Sequence, residues 1–131
     1  MSERLAILVW AADPDSPHLC ATPFHFAAAA AAMDAEVEMY FTARSVRLLM
    51  PGVAETLYPG GQGGEVPPLS PPLSHFLHEA VRYGARLYAC PTAMQAHGVA
   101  PEALRAEVHG QAGAAAFIGR TLDPAWRTLT F

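Results

Sequence analysis

The chain has 131 residues, of which 52% are hydrophobic and only 15% are charged, and its formal net charge is −4. This length predicts one domain over residues 1–131, large enough to bury about two-thirds of its unfolded surface without a disulfide or metal. The negative charge argues against nucleic acid as a direct partner, and the apolar runs are too short for a membrane span. The first residues are not typical of a signal peptide, so we expect a cytoplasmic protein with reduced thiols.

The low share of charged residues also indicates that part of the protein surface is apolar. Charged residues normally make up about a quarter of a globular chain, so part of this surface has to be apolar. Contiguous apolar surface on a small protein usually marks an interface. We therefore expect a homo-oligomer.

The first half of the chain alternates between strand-like and helical segments. Residues 5–10 form a continuous apolar run, which predicts a strand buried on both faces. A helix is predicted over residues 18–33, which include six consecutive alanines. A second strand is predicted over residues 37–41, and a short helix over residues 42–50.

The predicted helix over residues 18–33 has almost no polar face. A helix of that kind is buried on more than one side. We therefore expect this helix, or the one predicted over residues 111–122, to lie between subunits. His25, within the first of these helices, is interpreted as an interior histidine.

A loop rich in glycine and proline follows over residues 52–72. A loop of this length in a compact domain is usually functional or disordered. The glycines at residues 60–64 do not predict a phosphate-binding loop, because no Lys-Ser/Thr pair follows them and the next segment is rich in proline. The helix predicted over residues 73–83 then ends at Gly84.

The most informative stretch is residues 86–99, with the sequence RLYACPTAMQAHGV. A short buried strand is followed by Cys90 and then by Pro91, and proline is favoured at the first position of a helix. Cys90 is therefore predicted at the N-cap of a short helix that ends before Gly98. Free backbone N–H groups and the positive end of the helix dipole favour a thiolate in that position. The alternative is a buried cysteine that only fills space.

The remaining elements complete an α/β pattern. A short helix over residues 101–106, a strand over 107–109, a helix over 111–122 and a strand over 128–131 are predicted. Five strands separated by helices predict a flavodoxin-like three-layer fold with helices on both faces of a mostly parallel sheet of order 2-1-3-4-5. In that order the first and third strands are neighbours, and a binding crevice lies at their carboxyl ends. Cys90 would meet there the loop that carries His18 and Cys20.

This layout resembles the DsrE/DsrF-like family of small sulfur-carrier proteins over nearly the whole chain. The similarity rests on Leu-Tyr-Ala-Cys at residues 87–90, on residues 94–99, on the alanine-rich first helix and on the last helix before the Thr-Leu-Thr-Phe strand. It implies that Cys90 accepts and passes sulfur, and that the chain forms homo- or hetero-oligomers, including trimers and hexamers. The chain departs from the family in its Gly/Pro-rich loop and in lacking a second cysteine close to Cys90.

Persulfide chemistry on Cys90 is the first functional hypothesis. A thiolate takes a sulfane sulfur, holds it as a persulfide and yields it to an acceptor thiol. The protein is then a sulfurtransferase-like carrier without a cofactor, rather than a multi-turnover enzyme, and its partners are sulfur donor and acceptor proteins. His97 and His18 are auxiliary candidates, and Cys20 is a resolving thiol, a second carrier or a packing residue. Thioredoxin-type exchange is disfavoured because position 93 is alanine.

A metal- or ligand-binding scaffold of the same fold is the second hypothesis, and a purely structural oligomer is the third. Cysteine and histidine suit zinc or copper. No tight spacing groups these residues, and His75 and His78, one helical turn apart, are more typical of a solvated face. The spacing therefore disfavours a metal site, and the alternative stays open with the candidate ligands His18, Cys20, His25, His75, His78, Cys90 and His97.

Overall fold

The computed structural model describes residues 2–61 and 70–131. One sheet contains the five strands β1 (Arg4–Val9), β2 (Glu36–Phe41), β3 (Arg86–Ala89), β4 (Val108–Gln111) and β5 (Arg127–Thr130). Neighbouring strands are parallel, and the order across the sheet is β4-β3-β2-β1-β5. The predicted α/β class with a parallel five-stranded sheet is confirmed.

The strand order places β2 at the centre of the sheet, between β1 and β3, whereas the expected order 2-1-3-4-5 places β2 at an edge and β3 beside β1. The reason lies in how polar each strand is. β2 is buried along nearly its whole length, as a central strand has to be. β4, with the sequence VHGQ, and β5, with the sequence RTLT, are largely polar and only partly buried. Polar and glycine-containing strands suit the edges of a sheet, and these two strands occupy them.

Five α-helices connect the strands: α1 (Ala21–Ala32), α2 (Val53–Thr56), α3 (Leu73–Arg82), α4 (Pro91–Ala96) and α5 (Ala114–Thr121). Pro17–Leu19, Ala43–Leu49 and Pro101–Ala103 form separate 3₁₀ turns. The helices predicted over residues 18–33 and 111–122 therefore begin later than expected. Within the described part of the chain, no helix is long and apolar enough to cross a membrane. Residues 62–69 of the predicted glycine- and proline-rich loop lie outside the described ranges.

The strand order determines which face each helix covers. Successive strands from β1 to β4 advance in one direction across the sheet, and the chain then returns to place β5 beside β1. Right-handed crossovers put helices on the same face as long as the direction is kept, and on the other face after it reverses. Accordingly α1 packs against α3 on one face, and α5 covers the opposite face against β1 and β5.

The core consists of two apolar clusters, one on each face of the sheet. The larger lies under α1 and α3 and includes Ile7, Met39 and Leu87. The smaller lies under α5 and contains Ala6, Tyr40, Phe117 and Trp126. This division follows from the alternation of side chains along each strand.

The outward face of α1 is apolar and exposed. Phe26 is 49% exposed and Met33, just after the helix, is 81% exposed. His25 and Ala29 are also exposed, so the interpretation of His25 as an interior residue was wrong. The helix is apolar all round, but one subunit covers only one side of it.

A buried arginine ties the start of β4 to two neighbouring helices. The side chain of Arg105 is 6% exposed, and its guanidinium donates to both carboxylate oxygens of Glu55 at 3.2 and 2.9 Å and to Glu107 at 3.1 Å. His78 Nε2, on α3, lies 2.9 Å from the same carboxylate of Glu107. Hydrogen bonds from Arg105 lower the pKa of Glu107 from 4.5 to about 2, and they also lower the pKa of Glu55.

Replacing Arg105 should therefore destabilise the fold in a pH-dependent way. Arg105→Met is expected to lower the free energy of unfolding by about 2 kcal/mol near pH 7, since charged hydrogen bonds are lost. Because the pKa of Glu107 is lowered on folding, this contribution is complete above pH 4.5 and is lost as the pH falls towards 2. Urea unfolding at pH 7 and pH 3 measures it. Arg82→Met removes an exposed ion pair with Glu79 and serves as the control; equal stability of both variants at pH 7 would contradict the prediction.

Candidate functional site

Cys90 lies directly after β3, at the carboxyl edge of the sheet. Its backbone N–H donates to Phe41 O at 2.9 Å, which continues the pairing of β2 with β3. Its carbonyl oxygen accepts from Met94 N–H at 2.9 Å, the first hydrogen bond of α4. Cys90 is thus the N-cap of α4, with Pro91 at the first helical position. The predicted local structure of this segment is confirmed.

The start of α5 approaches the Cys90 sulfur from the other side. Gly113 is the N-cap of α5, and a Cβ atom added at Gly113 would lie 3.1 Å from Cys90 Sγ and 3.5 Å from Pro91 Cδ. Only glycine leaves room for this approach without displacing the sulfur. The first-turn N–H groups of a helix have no partner within the helix, so the amino ends of α4 and α5 both bring free donors and positive partial charge towards this region.

A pocket of about 160 Å³ opens at this point and gives access to the sulfur, although Cys90 itself is only 7% exposed. We call it the Cys90 pocket. It collects residues from the carboxyl ends of four strands and from the first turns of α5: Leu8, Tyr40, Phe41, Thr42, Cys90, Ala112, Gly113, Ala114, Phe117 and Ile118. Its walls are mainly aliphatic and aromatic.

The aromatic wall of the pocket is held by a partly buried polar network. Arg120, on α5, donates to both carboxylate oxygens of Glu38 at 2.8 and 3.1 Å, and the Tyr40 hydroxyl donates to Glu38 at 2.7 Å. The Arg120 guanidinium also stacks over the Trp126 ring at 4.1 Å. Tyr40 packs against Tyr88 and Phe117 with ring centroids 5.4 and 5.7 Å apart. The network anchors α5 on the sheet and fixes the Tyr40 ring.

The ionisation of this network follows from burial and pairing. Burial raises the pKa of Tyr40 to about 12, and its hydrogen bond to Glu38 acts in the same direction. Burial would also raise the pKa of Glu38, but hydrogen bonds from Arg120 and Tyr40, with the charges of Arg120 and Arg86, lower it overall. Tyr40 therefore stays a neutral donor and Glu38 stays a carboxylate at neutral pH.

Cys20 lies outside the Cys90 pocket. It is fully buried at the N-cap of α1, and its Sγ lies 3.3 Å from Asp13 O and 3.5 Å from Ser16 O. Burial, with the charge of Asp13, raises the pKa of the Cys20 thiol to about 11. Cys20 and Cys90 both border the cluster under α1, but Cys20 does not line the Cys90 pocket. The expected approach of the two cysteines rested on β1 and β3 being neighbours, and β2 lies between these strands. The full burial and raised pKa of Cys20 favour the packing interpretation.

The auxiliary histidines lie elsewhere. His97 is the C-cap of α4, so the length of that helix, about 10 Å, separates it from Cys90 at the N-cap. His18 is exposed in the 3₁₀ turn before α1. Neither residue lines the Cys90 pocket. Among the described residues, no group of three or more His, Cys, Asp or Glu side chains could hold a metal ion.

Sequence reasoning missed Gly113 and the Glu38–Arg120 network. A glutamate within an otherwise apolar strand was the signal for the network, because a buried carboxylate requires a partner. The close approach at Gly113 depends on tertiary structure, and the residue-level pattern gives no sign of it.

The fold and the site define a small α/β protein with a cysteine at the carboxyl edge of a parallel sheet. The chain belongs to the DsrE/DsrF-like family, whose model matches residues 5–131, and that family is associated with sulfur relay. The YchN protein from E. coli shares the fold with a TM-score of 0.72 and 14% identity, over 100% of both chains. MTH1491 from Methanobacterium thermoautotrophicum, a protein of unknown function, has a TM-score of 0.64 and 16% identity over 99% of this chain and 100% of its own. No curated protein matches.

The contact at Gly113 predicts a defined effect of adding one methyl group. Gly113→Ala should displace Cys90 Sγ, narrow the pocket, slow alkylation of Cys90 by iodoacetamide and cost about 1 kcal/mol in stability. Gly119→Ala, also in α5, has open space around its added Cβ and is expected to leave alkylation unchanged and to raise stability by about 0.5–1 kcal/mol. Peptide mapping of the alkylated cysteine and urea unfolding measure both effects. Equal alkylation rates in the two variants would show that the contact does not constrain the sulfur.

Proposed function

We propose that this protein is a sulfur carrier that holds sulfane sulfur as a persulfide on Cys90. The observation that carries the proposal is the position of the Cys90 sulfur, in a pocket where the amino ends of α4 and α5 converge. Membership of a family associated with sulfur relay supports the same chemistry.

The reaction needs no group beyond the Cys90 thiolate, a persulfide donor and a thiol acceptor. The Cys90 thiolate attacks the outer sulfur of a donor persulfide R–S–SH, the S–S bond of the donor breaks, and R–S⁻ leaves. Cys90 then carries the sulfur as Cys90–S–SH. An acceptor thiolate attacks that outer sulfur in turn and restores the Cys90 thiolate. Each step exchanges one S–S bond for another, so no external oxidant or reductant is required.

The pocket supports this role in two ways. Free amide N–H groups and helix dipoles stabilise one negative charge, whether it lies on the thiolate or on the bound persulfide. The low exposure of Cys90 limits contact of the persulfide with bulk thiols. The expected partners, sulfur donor and acceptor proteins in the cytoplasm, are part of this proposal.

We also propose that the protein acts as a homo-oligomer, a trimer or a hexamer. Large apolar side chains remain exposed on two helical surfaces of the subunit. One is the outward face of α1 with Phe26 and Met33, and the other is the outward face of α5 with Ile118 and Leu122. A second subunit that covers either surface would explain the low charge of the chain.

The carrier proposal predicts a mass change located on one residue. Incubation with a low-mass persulfide should add the mass of one sulfur atom to the wild-type protein, and a reductant should remove it. The Cys20→Ser variant should gain the same mass, because the wild-type Cys20 thiol is buried and protonated and takes no part in the reaction. The Cys90→Ser variant should gain none. Intact-mass spectrometry measures all three. The carrier proposal would be contradicted if the wild-type protein gained no sulfur from several donors, or if the Cys90→Ser variant still gained sulfur.

Assembly through the outward face of α1 predicts that one added charge on this helix lowers the assembly mass. Ala29 is exposed in the single subunit, so Ala29→Glu should leave the subunit folded but disrupt an interface across this face. Ala96→Glu introduces the same charge at an exposed alanine of α4 and should leave the assembly intact. Light scattering gives the mass, and thermal unfolding shows that the subunit is folded. A wild-type mass equal to one chain would contradict the proposal.

A further inference from the structure

Among the residues that the structure describes, the walls of the Cys90 pocket contain two ionisable groups, Cys90 and Tyr40. The Tyr40 hydroxyl donates a hydrogen bond to Glu38 at 2.7 Å, and Tyr40 lines the pocket with its aromatic ring. Thr42 contributes a small hydroxyl, and the other lining side chains are aliphatic or aromatic. Helix N–H groups can therefore stabilise the one negative charge of the Cys90 thiolate or persulfide. The described lining residues provide no cationic side chain to pair with a second negative charge on a donor molecule.

The distribution of basic residues supports this conclusion. The eight basic residues of the chain are all arginine, and none lines the Cys90 pocket. Residues 62–69 contain no basic residue either. Seven of the arginines pair with carboxylates: Arg4, Arg44, Arg47, Arg82, Arg86, Arg105 and Arg120. Seven of the eight arginine side chains are thus paired with carboxylates, and the eighth, Arg127, does not line the Cys90 pocket.

The size of the pocket suits a small apolar group. Its volume is about 160 Å³, and a dry cavity of about 150 Å³ lined by Leu, Ile and Phe side chains holds benzene. The Cys90 pocket has the same kind of lining, with Leu8, Phe117 and Ile118 among its walls, and it is open to solvent on the side of the half-exposed Ile118. A ring of that size, or an aliphatic group of equal volume, fits beside Cys90 Sγ.

We propose that, besides any protein donor, the Cys90 pocket accepts a low-mass persulfide whose organic group is uncharged, apolar and about the size of a benzene ring. This inference rests on the proposed function, and it specifies the donor: the apolar group fills the pocket while its outer sulfur meets Cys90. Donors that bring additional charge, such as thiosulfate or glutathione persulfide, are disfavoured because their charges would be desolvated without a partner.

The selectivity of the pocket is tested first without sulfur transfer, on a Cys20→Ser background with one remaining thiol. Two aromatic disulfides are compared, the uncharged 4,4′-dithiodipyridine and the dianionic 5,5′-dithiobis(2-nitrobenzoate). Each rate is divided by the rate for the same protein unfolded in urea, which corrects for the intrinsic reactivity of the reagent. The uncharged reagent should be favoured by about tenfold, the factor that corresponds to 1.4 kcal/mol. Equal corrected rates would overturn the inference.

Two exposed residues provide a matched pair of variants. Ile118 lines the pocket and is 51% exposed, whereas Ala96, an exposed residue at the end of α4, lies outside the pocket and outside both proposed interface surfaces. Ile118→Lys should raise the rate of the dianionic reagent several-fold and leave the rate of the uncharged reagent nearly unchanged. Ala96→Lys changes the net charge equally and should leave both rates unchanged. An equal effect of the two lysines would mean that overall charge, not the pocket, sets the preference.

Loading of sulfur then separates the two proposals. Benzyl persulfide should load Cys90 faster than glutathione persulfide or thiosulfate, as measured by intact mass over time. If all donors load Cys90 at equal rates, the selectivity is wrong and the carrier function stands. If no donor loads Cys90 while the disulfide reagents still discriminate, the carrier function is wrong and the pocket selectivity stands.

Discussion

Glu38 lies on β2, the middle strand of the sheet, with its side chain almost fully buried. A carboxylate in that position has to be paired, because an isolated buried charge costs several kcal/mol. Arg120 supplies the pair from α5, and Tyr40 supplies a further hydrogen bond from β2. Three consequences follow from this one requirement: α5 is fixed over the sheet, its amino end is directed to Cys90, and the Tyr40 ring becomes a wall of the pocket. The Cys90 site therefore depends on an ion pair that takes no part in its chemistry.

The path of the chain explains why the site is at this edge. The connection after β3 leads to α4 on one face of the sheet, and the connection after β4 leads to α5 on the other face. Adjacent strands whose connections leave to opposite faces create a crevice at their carboxyl ends. Cys90 follows β3 and Gly113 follows β4, so the crevice lies between these two residues. Cys20, at the start of α1, does not line this pocket.

Local sequence signals predicted most of the helices and strands but not the order of the strands in the sheet. The apolar runs of β1 and β3, the proline after Cys90 and the glycines that end α3 and α4 are short-range features, and the structure follows them. Strand order depends on which strands are suited to the edge of the sheet. The polar residues of β4 and β5 indicate edge positions for these two strands, but the predicted order placed β4 inside the sheet. With the predicted order the crevice falls between β1 and β3, whereas it lies between β3 and β4. Cys90 lies next to the crevice in both strand orders, because Cys90 follows β3. The Gly113 contact and the Glu38–Arg120 pair join residues far apart in sequence, so they required the three-dimensional structure.

The central claim is that sulfur passes through Cys90, and isotope tracing tests it most directly. A persulfide donor labelled with a heavy sulfur isotope only at its outer atom is mixed with the protein, the excess donor is removed, and an acceptor thiol is added. The account predicts that the label resides on Cys90 after the first step and on the acceptor after the second, with the Cys90 thiol regenerated. With Cys90→Ser, the acceptor should gain no label above the level seen without protein. Equal labelling of the acceptor with Cys90→Ser, or label that stays on Cys90 after the acceptor is added, would contradict the account.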